Sequence, residues 1–259
     1  MPIPRKRLDL LLVERGLAES RQKAQALILS GAVRVNGRPA SKAGQPAADA
    51  DVIEVRAAAR FVGRGGEKLE HAMSFFRISV QGLVCLDVGA STGGFTDCLL
   101  QRGALRVMAV DVGRGQLHWK LRRDPRVLLL EQCNARNLKP GDLPETPAFA
   151  AVDVSFISLT KILPALHSVL RNPSEIVTLI KPQFEAGKDQ VCRGGVVRDE
   201  AVRSAVVAAI RAFGETSLGW EWRGVCESPL AGPAGNVEFL AYWGKGSPLH
   251  EKAGNTRQL

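Results

Sequence analysis

The stretch Leu86-Asp87-Val88-Gly89-Ala90-Ser91-Thr92-Gly93-Gly94-Phe95 decides the fold. An apolar run over 83–88 leads into it, and a helix-forming segment, Thr96 to Leu100, leads out. Glycines at a turn between strand and helix let backbone N–H groups approach a ligand without a Cβ in the way. The next apolar run ends at Val110-Asp111, 22 residues after Gly89, where an acid can accept hydrogen bonds from ribose hydroxyls.

Working outward, further apolar runs at 107–111, 127–131, 149–154 and 176–180 alternate with helix-length segments. That rhythm predicts an α/β unit with a parallel sheet covered on both faces. A helix over 199–213 and two β-leaning runs, 220–226 and 236–243, predict a Rossmann-like sheet that is mostly parallel and closes on an antiparallel strand. Two cofactor classes use such a turn. The dinucleotide fingerprint requires G-x-G-x-x-G, whereas position 91 is Ser and the spacing here is G-x-x-x-G-G. With Asp87 just ahead of the turn, the pattern favours S-adenosylmethionine over NAD. Asp87, Gly89, Ala90, Ser91, Thr92, Gly93, Gly94, Phe95 and Asp111 form the expected cofactor set, with Asn134 after the third strand as a candidate for the adenine edge.

Two further strand ends carry charge: Asp153 in Ala150-Ala151-Val152-Asp153-Val154, and Lys181 after Val177-Thr178-Leu179-Ile180. Ligands gather at the carboxyl ends of strands in open α/β sheets. A charge there is costly unless it is paired or used, so an anion and a cation on adjacent strand ends should pair. Asp153 counts as a candidate for both the cofactor and the chemistry.

Upstream, residues 7–56 form a different kind of unit. Leu8, Leu11, Leu12 and Gly16 predict a short amphipathic helix, and Ser20 caps a second one that ends at Gly31. Val33-Arg34-Val35 is a strand, Asn36-Gly37 a hairpin turn, and 51–55 a last strand. The expected organisation is a small α+β unit over 1–56, a linker over 57–60, an α/β unit over 61–245 and a frayed tail over 246–259.

Charge supports the division. The chain carries +9, and residues 1–60 hold 11 Lys and Arg against 6 acids, net +5. A basic N-terminal fifth points to a polyanion, nucleic acid before membrane. Arg5, Lys6, Arg7, Arg21, Lys23 and Arg34, with Arg60 and Arg64 at the junction, are the candidate RNA contacts. Aromatics are absent from 1–60, which favours recognition of structured RNA by shape over single-strand stacking. Five scattered cysteines without a CxxC motif support neither a disulfide framework nor a zinc site, and with no signal peptide or spanning segment the expected location is the cytoplasm.

Four motifs together carry a resemblance: 87–97 at the glycine turn, Val-Asp-Val-Gly-Arg-Gly-Gln-Leu (110–117), Asp-Val-Ser-Phe-Ile-Ser-Leu (153–159) and Ile-Lys-Pro-Gln-Phe-Glu (180–185). The chain resembles the TlyA family, ribosomal-RNA cytidine 2′-O-methyltransferases often labelled hemolysins. Residues 7–56 resemble the small RNA-binding fold named after ribosomal protein S-four. The resemblance implies a class I methyltransferase fold, S-adenosylmethionine as cofactor and ribosomal RNA as substrate. It also implies a Lys-Asp-Lys-Glu tetrad of the FtsJ type, falling on Lys68, Asp153, Lys181 and Glu238. Lys181 would activate the ribose hydroxyl, with Lys68 and Asp153 steering it and Glu238 orienting. A lysine that takes a proton must be partly neutral, against a reference pKa of about 10.4. At Phe61 and Gly63 this chain has Phe and Gly where relatives commonly have Tyr and Ser.

Two other classes of function are compatible with parts of the pattern. One is a non-catalytic RNA-binding or ribosome-assembly factor, against which the intact tetrad speaks. The other is a membrane-active hemolysin, against which the lack of a spanning or strongly apolar amphipathic segment speaks.

Overall fold

A computed structural model describes residues 5–29, 31–55 and 60–246. The expected linker over 57–60 and tail over 246–259 lie outside them, except for Arg60 and Gly246. The chain divides into two compact units, Met1–Arg60 and Phe61–Leu259.

The first unit contains β1 (Arg5–Arg7), α1 (Leu8–Glu14), α2 (Arg21–Leu29), β2 (Val33–Val35), β3 (Arg38–Pro39), β4 (Pro46–Ala48) and β5 (Ile53–Val55). Leu8, Leu11 and Leu12 of α1 pack on Ala24 and Ile28 of α2 and on Val33 and Ala47. The Ser20 hydroxyl accepts from the Lys23 N–H, as a helix cap should. Asn36 and Gly37, both at positive φ, turn β2 into β3. One pairing differs from expectation: β4, within the Pro-, Ala- and Gly-rich residues 39–50, pairs antiparallel with β1, whose Arg-Lys-Arg has no apolar alternation. The burial of Ala47 and Ala48 holds that ribbon, and alanines signal strand weakly.

The second unit runs α3 (Gly65–Phe75), β6 (Val84–Val88), α4 (Gly94–Gln101), β7 (Arg106–Val110), α5 (Trp119–Arg122), β8 (Val127–Leu130), β9 (Phe149–Val152), α6 (Leu163–Val169), β10 (Ser174–Ile180), α7 (Pro182–Glu185), α8 (Glu200–Leu218), β11 (Glu221–Glu227) and β12 (Phe239–Lys245). Its seven strands lie in the order β11-β12-β10-β9-β6-β7-β8. β12 inserts between β10 and β11 and runs antiparallel to both, and the other pairs are parallel. The last strand is therefore interior, which fits Leu240, Ala241 and Trp243 being fully buried.

The pleat divides the core. Cys85, Val107, Ala109, Val177 and Leu179 face one side with Leu69 and Met73 of α3 and Leu99 of α4. Leu86, Val88, Met108, Val110, Ile176 and Ile180 face the other, with Leu163 and Leu166 of α6 and Ile210 of α8. Successive side chains alternate between the two layers, the period of 2 that a doubly covered sheet requires.

The glycine turn closes the gap between β6 and β9. Gly89 has φ +85°, and a Cβ there would overlap the Asp153 carbonyl oxygen. Gly89→Ala should therefore cost stability twice, through backbone strain and through displacement of the β9 end. Gly115, at φ +75°, has open space where a Cβ would stand, with nothing within 4 Å, and bears only the strain. By thermal unfolding, Gly115→Ala is expected to cost about 1 kcal/mol and Gly89→Ala more than about 2 kcal/mol. Equal losses would show that the Gly89 contact does not matter.

Candidate active site

Sheet register assembles the site. β10 pairs with β12 through Ile180 and Phe239, and with β9 through Thr178 and Val152. Lys181, Glu238 and Asp153 each lie one residue beyond those pairings. Three adjacent strands thus deliver three charged side chains to one end of the sheet. Lys68 comes from α3. The start of that helix is seated against both neighbours, since a Cβ on Gly65 would lie 3.3 Å from Phe95 and 3.8 Å from an Asp153 carboxylate oxygen.

The four charges form two ion pairs. Lys181 Nζ is 2.6 Å from Asp153 Oδ1 and donates to Ser155 Oγ at 2.8 Å. Lys68 Nζ donates to Glu238 Oε2 at 2.5 Å. The second pair is nearly sealed, with Lys68 7% and Glu238 1% exposed. Lys68 is therefore the partner of Glu238, while Asp153 is the partner of Lys181. A buried pair of this kind tolerates the loss of one member poorly, because the remaining charge stays desolvated.

The expected cofactor residues are arranged around the glycine turn. Asp111 bridges two loops, accepting from Ser91 N–H and Gly113 N–H at 2.7 Å each. Ser91 itself adopts φ +49°. Gly94 opens α4, so the N–H groups of its first turn have no acceptor within the helix. Asp87 lies beneath the turn, 0% exposed. Its Oδ2 accepts from the Thr96 hydroxyl at 2.6 Å, and its Oδ1 has no hydrogen-bond partner among the described residues. Burial above all pushes this carboxyl up to about 7, against the Thr96 bond, with a smaller upward push from Asp153. An unpartnered carboxylate oxygen below a cluster of N–H donors fits a ligand that brings both a cationic and an anionic group, as the amino-acid end of S-adenosylmethionine does. Asn134 caps the short 3-10 turn Ala135–Asn137 by accepting from Arg136 N–H at 3.1 Å, the role of a turn residue.

Three residues beside the pair lie in the quoted motifs but have no role assigned from sequence. Ser155 supplies the second acceptor for Lys181. Phe156 is 91% exposed at φ +63°, its ring 5.0 Å from that of Phe184. Glu185 accepts from Ser158 Oγ at 2.6 Å and Leu159 N–H at 2.8 Å, and so ties the segment after Asp153 to the segment after Lys181. Only a fully exposed aromatic in a strained loop distinguishes Phe156, and sequence alone shows neither exposure nor φ.

Within the first unit the basic candidates separate by partner. Asp9 is fully buried and accepts from Arg7 through two bonds of 3.0 Å, from Arg21 at 3.0 Å and from Gln25 at 2.9 Å. Arg7 foremost holds the Asp9 carboxyl far below the usual carboxylate range. Both guanidinium groups remain half exposed, so one carboxylate orders two cations at the surface. Lys6 pairs with Glu14 at 2.6 Å, and Arg34 donates to the Gly37 carbonyl at 3.2 Å. Arg5 and Lys23 are exposed. In the second unit Arg64 donates to the Ala231 carbonyl at 2.8 Å.

Residues 61–245 match the model of the FtsJ-like methyltransferase family, and residues 6–53 match the S4 domain. The 16S/23S rRNA (cytidine-2′-O)-methyltransferase TlyA of Mycobacterium tuberculosis is 48% identical over 240 residues, spanning 92% of this chain and 89% of that protein. The chain belongs to the TlyA family. Hemolysin A of Brachyspira hyodysenteriae, 46% identical, spans 92% of this chain and 99% of its own. A solved Streptococcus thermophilus structure that also carries the hemolysin name superposes with a TM-score of 0.73 at 43% identity, covering 95% of this chain and 90% of that one. In this TlyA-family chain the FtsJ-like match coincides with the seven-stranded unit that holds both ion pairs.

The Asp87 geometry predicts a pH dependence. A cation is held by the ionised carboxylate, so affinity for S-adenosylmethionine should rise as pH increases through about 7 and fall below it. Titration calorimetry at pH 5.5 and 7.5 should give several-fold tighter binding at the higher value. Asp87→Asn should bind weakly with that dependence flattened. An unchanged pH profile in the variant would show that Asp87 does not face the cofactor's charge.

Proposed function

We propose that this chain transfers a methyl group from S-adenosylmethionine to the 2′-hydroxyl of a cytidine ribose in ribosomal RNA. The convergence of Asp153, Lys181, Lys68 and Glu238 at one end of the sheet, beside the glycine turn, is the observation that carries this reading. The cofactor supplies a methyl group on a positively charged sulfur, which leaves as a neutral thioether. The chain's own residues have to place and deprotonate the acceptor.

A ribose hydroxyl is a poor nucleophile until its proton is removed. Lys181 Nζ, in its neutral form after giving a proton to solvent, takes that proton as the oxygen bonds to the methyl carbon. The ammonium so formed is received by Asp153 Oδ1 and Ser155 Oγ, which already lie at 2.6 and 2.8 Å. Glu238 holds Lys68 in place over the same strand ends. Phe156 offers an open aromatic face beside the pair on which a nucleobase can stack. The first unit, with net charge +5 over 1–60 and its ordered Arg7 and Arg21, holds the RNA. Work on ribosomal RNA puts the chain in the cytoplasm.

The hemolysin reading rests on names. No helix among the described residues is long and apolar enough to cross a membrane.

Lys181→Ala tests the assignment. Transfer of labelled methyl groups to ribosomal RNA should fall by at least about 100-fold, the scale of a lost acid–base group. Cofactor affinity by calorimetry should stay within a few-fold of wild type. Activity within a few-fold of wild type would remove Lys181 from the chemistry, and joint loss of binding and fold would make it a structural partner of Asp153.

A further inference from the structure

The segment between β7 and β8 has two faces. Leu117 and Leu121 point inward, both buried, and meet the glycine turn at Gly93, while His118 N–H donates to the Thr92 carbonyl at 3.1 Å. The opposite face carries Trp119, 57% exposed, with Arg123 stacked over its ring at 5.5 Å and His118 at 5.8 Å. Lys120 is exposed beside it in sequence. Some cations of the segment are spoken for: Arg122 pairs with Glu131, and Arg126 with Asp124. Among the described residues no carboxylate stands within ion-pair distance of Lys120 or Arg123.

An indole left in solvent forfeits a large apolar burial that a turn built on two leucines could have used. A half-exposed indole flanked by cations without carboxylate partners matches the chemistry of an RNA strand, where a base stacks and phosphates pair. An acidic protein surface would answer the cations but leave the indole face unexplained. Position favours the same partner. β7 is two strands from β9, about 10 Å across the strand ends. Both Trp119 and Asp153 follow the carboxyl ends of their strands, so an RNA strand entering the site at Asp153 can extend over a few nucleotides to reach Trp119.

We infer that Trp119, Lys120 and Arg123 form a second RNA contact on the methyltransferase unit itself, with Trp119 stacking on an unpaired base and Lys120 and Arg123 meeting phosphates. This rests on the ribosomal-RNA reading above. Because Leu117 and Leu121 grip the glycine turn, the contact is fixed relative to the cofactor site.

The experiment uses the full-length protein, labelled S-adenosylmethionine, and two substrates: deproteinised ribosomal RNA and intact ribosomal subunits. Trp119→Ala should raise KM for deproteinised RNA about tenfold, and Trp119→Phe, which keeps an aromatic face, should restore most of it. The double variant Lys120→Glu/Arg123→Glu should raise KM and lower the salt slope of RNA binding by about one to two units. kcat at saturating RNA, cofactor affinity and melting temperature should stay near wild type in all three. Unchanged KM and salt slope in an active protein overturn the inference. A defect seen with intact subunits and not with deproteinised RNA also overturns it, in favour of a protein partner. Absence of methylation by the wild-type protein on both substrates would instead strike the proposed function.

Discussion

At Gly89 the chain passes so close to the Asp153 carbonyl that no side chain fits between them, and most of the second unit depends on that approach. The Asp153 N–H donates to the Val88 carbonyl at 2.8 Å, so the ends of β6 and β9 are locked together as well as packed. α3 then sits on the result. A Cβ on Gly94 would come within 2.7 Å of the Gly66 nitrogen, so the starts of α3 and α4 touch backbone to backbone. Cofactor turn, strand-end acid and the helix carrying Lys68 are thereby one rigid cluster. Sub-ångström placement of a nucleophile against a methyl donor requires such rigidity.

The charges at the strand ends follow from that geometry and also depend on it. Two carboxylates and two lysines in a small, mostly buried volume are tolerable only as pairs. Each lysine reaches its own acid, so neither acid is left desolvated and alone. Asp87 is the exception: it is fully buried with one oxygen unpartnered, and its raised pKa reflects that cost. A cation brought by the cofactor would relieve it. The N-terminal unit solves the opposite problem with the same chemistry, since the buried Asp9 holds Arg7 and Arg21 in fixed positions without hiding them.

Much of this was legible in the sequence, for physical reasons. A doubly covered parallel sheet needs continuous apolar runs, and 83–88, 149–154 and 176–180 show them plainly. Asp153 and Lys181 stand out because charge directly after such runs is expensive. What stayed hidden depended on partners distant in the chain. Nothing local shows that β12 inserts between β10 and β11, that Lys68 reaches Glu238 rather than Asp153, or that Arg-Lys-Arg forms a strand with Pro46–Ala48. Asn134 has a short-range role, capping its own turn. Exposure is the hardest property to read: Phe156 and Trp119 have the composition of core residues, and only the fold shows them facing outward.

The central claim is that the cluster at the strand ends methylates a ribose hydroxyl of RNA. The most direct measurement incubates the purified full-length protein with labelled S-adenosylmethionine and ribosomal RNA, then subjects the product to alkaline hydrolysis. A methyl group on a 2′-oxygen blocks cleavage of the adjoining phosphodiester, so the label should be recovered in an uncleaved dinucleotide whose 5′ member is cytidine. Label recovered entirely in mononucleotides would place the methyl group on a base and contradict the account.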